Sequence, residues 1–265
     1  MKKILVPTDF SENAANALRY AAFLANQFGS QITLLHTYKV YNTTGSFVSV
    51  ESFIKEDASR DMLVVMKDIE GLLEHGATIE SKIVKGSAVD TICEVAEKQD
   101  FDLIIMGTQG ASGLAEIFIG STTNGVLKNT GVPVLAIPAD FAFRPIKNVV
   151  LAVDEEEDFD PELLQPLVQI VRSQNAMLRV YHKDVHNDGP NTAVDALLEG
   201  LERSYHYELD TDNINLSITK FVEEIHADML CMIRRRRSFL ESVFHESVTT
   251  KAVFNSPIPL LILQE

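Results

Sequence analysis

Three glycines carry the strongest chemical signal in the chain: Gly107, Gly110 and Gly120, the last running into Ser121, Thr122 and Thr123. A glycine has no side chain to cover its backbone, so a loop of this kind presents bare N–H groups around a concave space. If a helix then begins at the hydroxyl residues, its positive N-terminal end faces the same space, and that combination suits a phosphate. Asp9, preceded by Pro7 and Thr8, adds an acid directly after the first strand. Each feature also has a plainer explanation, glycines as a structural turn and Asp9 as a capping or turn residue. The full Gly107-x2-Gly110-x9-Gly120-Ser121 spacing, placed between a strand and a helix, favours a nucleotide. Two other phosphate motifs are excluded: the chain has no G-x-x-x-x-G-K-S/T, and Gly107, Gly110 and Gly113 are too widely spaced for G-x-G-x-x-G.

The elements around these residues alternate. Ile4 to Pro7 reads as a short strand, and Ser11 as the N-cap of a helix over Glu12 to Phe28, with Ala14, Leu18, Ala21 and Leu24 at helical spacing. Gln31 to His36 is a second strand, residues 38 to 50 an irregular connection, Glu51 to His75 a helix stopped by Gly76, and Thr78 to Val84 a third strand. Ala88 to Lys98 is helical, Leu103 to Met106 is a buried strand, Thr122 to Asn129 is a helix with hydroxyl residues to cap it, and Pro133 to Ile137 is the fifth strand. Strands alternating with helices predict α/β architecture, a doubly wound parallel sheet with its ligand crevice beyond the strands' C-terminal ends. If the first and fourth strands are neighbours, the Asp9 and Gly107 loops border one crevice.

After a linker over Ala139 to Pro145 the pattern begins again. Asn148 to Val153 is a strand, Asp160-Pro161-Glu162 a helix start, Ala176 to His182 a strand, and Thr192 to Tyr207 a helix. Asn213 to Leu216 is a thin strand candidate, Ile218 to Ile225 a short helix, and Asp228 to Ile233 and Pro259 to Leu263 the remaining strands. From Asp102 onward the first half aligns on the second without a gap: Asp102 falls on Asp228, Ser121 on Ser247, Thr123 on Thr249, Asn129 on Asn255 and Pro133 on Pro259. This is a tandem duplication. In that register Gly107 meets Ile233, Gly110 meets Arg236 and Gly120 meets Glu246. Side chains stand where backbone would approach a ligand, positive φ is lost, and Glu246 repels phosphate. One competent site per chain is therefore expected. Because the second copy retains strands and helix without these glycines, a ligand rather than the fold explains them.

Composition bounds the alternatives. At 265 residues, 46% hydrophobic and 23% charged, the chain suits one large or two ordinary globular domains. A net charge of -15 argues against nucleic acid and anionic membrane as partners. No apolar run approaches the roughly 20 residues that span a bilayer, and Ile4 to Val6 is too short for a signal peptide, so a cytoplasmic setting is expected. Cys93 and Cys231 lie in apolar segments and read as buried thiols. His36, His182, His226 and His245 lack metal-ligand spacing, so no metal site is assigned. Arg234 to Arg237 reads as a solvated turn pairing with acids such as Glu155, Glu156 and Glu157, with an anion-binding turn as the alternative. Ser121 has no His or Lys base placed beside it, so no catalytic residue is assigned.

With Ile4-Leu5-Val6-Pro7-Thr8-Asp9, Leu35-His36 and the glycine spacing in view, the chain resembles the universal stress protein family, as a tandem member over nearly its full length. The resemblance implies two tandem doubly wound domains over residues 1–141 and 146–265. Each would be an open five-stranded parallel sheet of order 3-2-1-4-5 flanked by helices. It implies that Pro7, Thr8, Asp9 and Thr37 face the adenosine part of a nucleotide. Met106, Gly107, Thr108, Gly110 and Gly120 would line the loop, with Ser121, Thr122 and Thr123 on the phosphates. The second half departs from the signature at every glycine, so Asp154 is not carried over as a ligand.

The function expected is that of an ATP-binding stress-response regulator with one adenine nucleotide in the N-terminal half, accompanied by Mg held largely through phosphate oxygens and water. Hydrolysis should be slow, because the loop supplies neither a positioned base nor an obvious Lys or Arg. The alternatives are a nucleotide-independent interaction scaffold and a slow ATPase. The expected partners are the nucleotide, the other half of the chain in an internal pairing, a second copy in a homodimer, and a protein whose identity the sequence does not carry. The internal pairing would cover the apolar edges at Val134 to Ile137 and Leu260 to Leu263.

Overall fold

The structure, a computed structural model, describes residues 1–40, 47–108, 120–153, 160–183, 192–208, 214–234 and 257–265. These fall into two compact units, with the described residues up to Ala139 in the first and those from Asp140 in the second.

The first unit runs β1 (Lys3–Thr8), α1 (Glu12–Phe28), β2 (Gln31–Tyr38), α2 (Phe47–Glu70), β3 (Thr78–Lys85), α3 (Ala88–Lys98), β4 (Leu103–Gly107), α4 (Ser121–Asn129) and β5 (Val134–Ile137). The strands pair in parallel in the order β3-β2-β1-β4-β5. Ile4, Leu5 and Val6 are wholly buried, as are Leu103, Ile104 and Ile105. Strands covered by helices on both faces must be apolar on both, which is why these segments read as unbroken hydrophobic runs. Ser11 caps α1 by accepting from the Ala14 amide at 3.2 Å, and Gly29 closes the helix at φ 62°.

The helix expected over Glu51 to His75 is displaced: α2 begins at Phe47 and ends at Glu70. Beyond it Asn26 clamps a turn, donating to the Leu72 carbonyl at 2.8 Å and accepting from the Glu74 amide at 2.7 Å. His75 and Gly76, both at positive φ, then lead into β3. Met62 and Ile69 are buried, whereas Leu72, 50% exposed, lies past the helix end and takes no part in its apolar face.

The second unit runs β6 (Asn148–Val153), a 3-10 turn (Pro161–Leu164) entering α5 (Gln165–Gln174), β7 (Met177–Lys183), α6 (Thr192–Leu197), β8 (Arg203–Glu208), α7 (Ile214–Glu224), β9 (Met229–Arg234) and β10 (Leu260–Gln264). Its parallel order, β8-β7-β6-β9-β10, repeats that of the first unit. Two expectations fail here. The helix expected from Thr192 to Tyr207 stops at Leu197, and Arg203 to Glu208 is a strand. Gly200 turns the chain at φ 80°, and the alternating Tyr205, His206 and Tyr207 pair with Val180 to His182 along an open sheet edge. β-favouring aromatic residues and tertiary pairing together outweigh the helical pattern. The thin strand expected at 213–216 is also absent: Asn213 lies outside the described residues, and Ile214 to Leu216 begin α7.

The duplication is visible in one repeated device. Asp102 accepts from the Lys2 and Lys3 amides at 2.5 and 2.9 Å, and Asp228 accepts from the Lys147 and Asn148 amides at 2.8 and 2.9 Å. In each unit an aspartate before the fourth strand holds the start of the first.

Candidate functional site

Parallel pairing sets Ile4 beside Leu103 and Thr8 beside His36. The ends of β1, β2 and β4 therefore open together, and a cavity of about 300 Å³ lies beyond them. Pro7, Thr8, Asp9, Thr37, Met106, Gly107, Gly120, Ser121, Thr122 and Thr123 all line it. Thr108, also expected in the loop, does not line this cavity; its amide donates to Ile137 at 3.0 Å and its carbonyl accepts from the Gly120 amide. Gly110 lies outside the described residues.

Local forces fix each wall. After β1 the chain reverses through Phe10, whose φ is 63°. Its amide donates to Thr8 Oγ1 at 3.0 Å, and Asp9 Oδ1 accepts from the Ser11 amide at 3.1 Å. Asp9 thus has the turn role considered for it, on an exposed loop at the cavity mouth. Helix α4 starts at Gly120, whose φ is -55° and which offers no side-chain cap. This corrects the expectation that a hydroxyl residue caps it. Thr123 instead turns its hydroxyl back to donate to the Gly107 carbonyl at 2.7 Å. The first bond of α4, Asn124 amide to Gly120 carbonyl, is 2.9 Å, so the three preceding amides have no acceptor within the helix.

Gly107 and Gly120 do not use positive φ, contrary to expectation; among the described residues the glycines that do are Gly29, Gly76 and Gly200. The reason for Gly107 is packing. A Cβ there would stand 2.5 Å from Asn13 Nδ2 and 2.8 Å from Asn13 Oδ1. The reading that a ligand alone accounts for the motif glycines is corrected at this position.

Sequence reasoning assigned no site role to Ala14, Leu35, Ala88 and Ile92, which supply the cavity's apolar wall, nor to His36, which also lines the cavity. The spacing of Ala88 and Ile92 on α3 was a usable signal, since residues four apart share a helix face. A second cavity, about 370 Å³, shares Thr37, Ala88, Ser121 and Thr122 with the first and adds Lys39, Gly86, Ser87 and Val89. The N-terminal ends of α3 and α4 therefore border the same space, and Lys39 is brought to it from the end of β2.

In the second unit Ile233 lies at the end of β9 and is 8% exposed, where the first unit has Gly107. Asp154, Glu155 to Glu157, Arg235 to Arg237 and Glu246 lie outside the described residues. Arg234 donates to Gln264 Oε1 at 3.2 Å. No group of His, Cys, Asp or Glu among the described residues could hold a metal ion, and no helix there is long and apolar enough to cross a membrane. Both cysteines are buried and unbridged. Burial raises the Cys93 thiol to about 11, with Glu97 and Asp90 adding to the shift, and burial alone raises that of Cys231.

Known proteins match this architecture. The family model described as "Universal stress protein family" matches residues 1–138 and again 145–264. Universal stress protein MJ0531 of Methanocaldococcus jannaschii is 33% identical over 141 residues, covering 51% of this chain and 81% of that protein. Universal stress protein Slr1230 of Synechocystis is 23% identical over 287 residues, covering 98% and 99%. The crystal structure of a universal stress protein from Archaeoglobus fulgidus superimposes with a TM-score of 0.76 at 25% identity, covering 99% of this chain and 96% of that one. With the family model matched twice in succession, over two units whose strands follow the same order, the chain belongs to the universal stress protein family.

Proposed function

We propose that the first unit binds one adenine nucleotide, with ATP as the first candidate, and that its occupancy regulates conformation or partner choice in a stress response. One observation carries this: ten of the twelve residues chosen from sequence for a nucleotide line one cavity whose walls divide by chemistry. Leu35, Ala88, Ile92 and Met106 provide an apolar face suited to a base. Asp9 and Thr37 offer polar groups suited to a ribose. The uncapped start of α4, with Ser121 and Thr122, suits phosphates. Mg would sit on phosphate oxygens and water, to which the hydroxyls of Ser121 and Thr122 could add an oxygen. The second unit is proposed to bind no nucleotide, since Arg236 and Glu246 stand in sequence where the first half has Gly110 and Gly120.

The proposal goes no further than slow hydrolysis: among the described residues lining this cavity there is no Lys or Arg to stabilise a transferring phosphoryl group, and Lys39 is the one cation among those bordering the adjoining cavity. The test is to purify the protein, denature it and chromatograph what is released, then measure the thermal shift with ATP and magnesium. Ligand at a hundredfold excess over its dissociation constant should stabilise the fold by roughly 2.7 kcal/mol. Gly110→Arg and Gly120→Glu, which copy the second half into the first, should abolish binding and leave the fold intact. No released nucleotide together with no thermal shift would leave the interaction-scaffold reading in its place.

A further inference from the structure

We infer that His36 is the positioning residue for the Asp9 loop, holding that loop from both sides; its consequence for ligand affinity rests on the nucleotide reading of the cavity. His36 Nδ1 lies 2.9 Å from the Thr8 carbonyl oxygen. A carbonyl can only accept, so Nδ1 carries the hydrogen, and in the neutral ring Nε2 is left as an acceptor. The same ring stacks on Phe10, with centroids 4.5 Å apart and planes 30° from parallel. Phe10 is the residue at φ 63°, in a region that L residues with large side chains rarely enter. One side chain therefore grips the residue before Asp9 by a hydrogen bond and the residue after it by a ring contact. Between those two anchors the direction of the Asp9 carboxylate at the cavity mouth is set.

The second unit supplies an internal comparison. Val153 pairs with His182 in the register in which Thr8 pairs with His36. The residue corresponding to Phe10 there is Glu155, which has no ring to stack. The His182 ring instead lies edge-on to Tyr207 of β8, at 5.8 Å and 81°. A histidine at this strand end is common to both copies, whereas its aromatic partner in the loop belongs to the copy that carries the glycine signature.

Three variants separate the two grips. His36→Phe keeps a ring for Phe10 and removes the donor, His36→Asn keeps a donor within reach of the Thr8 carbonyl and removes the ring, and His36→Ala removes both. Ring-nitrogen NMR of the wild type should show hydrogen on Nδ1. His36→Ala should speed amide hydrogen exchange at Phe10 and Ser11 by about tenfold or more and weaken ATP–Mg affinity, read by calorimetry, by about tenfold, without changing exchange in α3 and α4. The Phe and Asn variants should each recover part of both effects, and they carry the comparison if the Ala variant does not fold. Hydrogen on Nε2, unchanged exchange at Phe10 and Ser11, or affinity lost only in parallel with global stability would overturn the inference. So would undiminished ATP affinity in a loosened loop. A wild type that binds no ATP, yet shows the expected tautomer and exchange pattern, would overturn the nucleotide reading and leave the role of His36 in the loop standing.

Discussion

The α-carbon of Gly107 and the side chain of Asn13 share one space at the junction of β4 and α1, with Asn13 itself only 8% exposed. A Cβ on Gly107 would come within 2.5 Å of Asn13 Nδ2 and 2.6 Å of Asn13 Cγ. Gly107→Ala should therefore destabilise the first unit by about 1–3 kcal/mol, the usual cost of overpacking. Denaturant unfolding of a double-mutant cycle with Asn13→Ala checks the cause. Contact between the two should appear as a coupling of at least about 0.5 kcal/mol, and strict additivity would place the strain elsewhere.

Gly125 of α4 stands against Val89 of α3, where an added Cβ would meet Val89 Cγ2 at 2.6 Å. Alanine in a helix interior normally gains about 1 kcal/mol over glycine. Here the overpacking term should exceed that gain, so Gly125→Ala should lower the melting temperature, and adding Val89→Ala should restore it. A melting point raised by Gly125→Ala alone would show that the two helices have room to separate.

Asp228 and Asp102 perform the same backbone task, but Asp228 is 7% exposed and also pairs with Arg144 Nε at 2.8 Å. Removing the charge from the more buried group should cost more, since its hydrogen bonds are less screened. Asp228→Asn is expected to lose about 2–3 kcal/mol by chemical denaturation, with Asp102→Asn losing less. Equal losses would mean that Arg144 and burial add nothing.

Cys93 should react slowly with a disulfide reagent at pH 8 in the native protein and rapidly once unfolded, because only the thiolate attacks. Its folded value is raised from 9.0 to about 11, so the stabilisation it carries is present below 9.0 and is lost as pH rises toward 11. The unfolding free energy should fall across that interval, less steeply in Cys93→Ala, with Cys231 and Tyr181 also contributing. An identical slope in the variant would remove Cys93 as a cause.

Much of the fold was legible because its determinants are local. Ser11, Gly29 and the apolar spacing between them mark α1 at both ends, and those signals act within a turn or two of chain. The failures share a cause. Residues 203–208 follow a helix-compatible stretch yet form β8, because pairing with β7 on an open sheet edge is not written in their own neighbourhood. Leu72 fitted a helical stripe, but Asn26, far away in sequence, holds that segment in a turn.

For the candidate site the division is similar. By itself the sequence determined the glycine spacing, the acid after the first strand and the contrast between two copies, since residue types and intervals are all that those require. Only the tertiary structure decided that Ala14, Leu35 and Ile92 form a wall, that Thr123 turns to Gly107, that the Asn13 side chain packs against Gly107 and that His36 reaches both Thr8 and Phe10. These meetings depend on which strands become neighbours, and that order is settled by burying apolar faces across the whole unit.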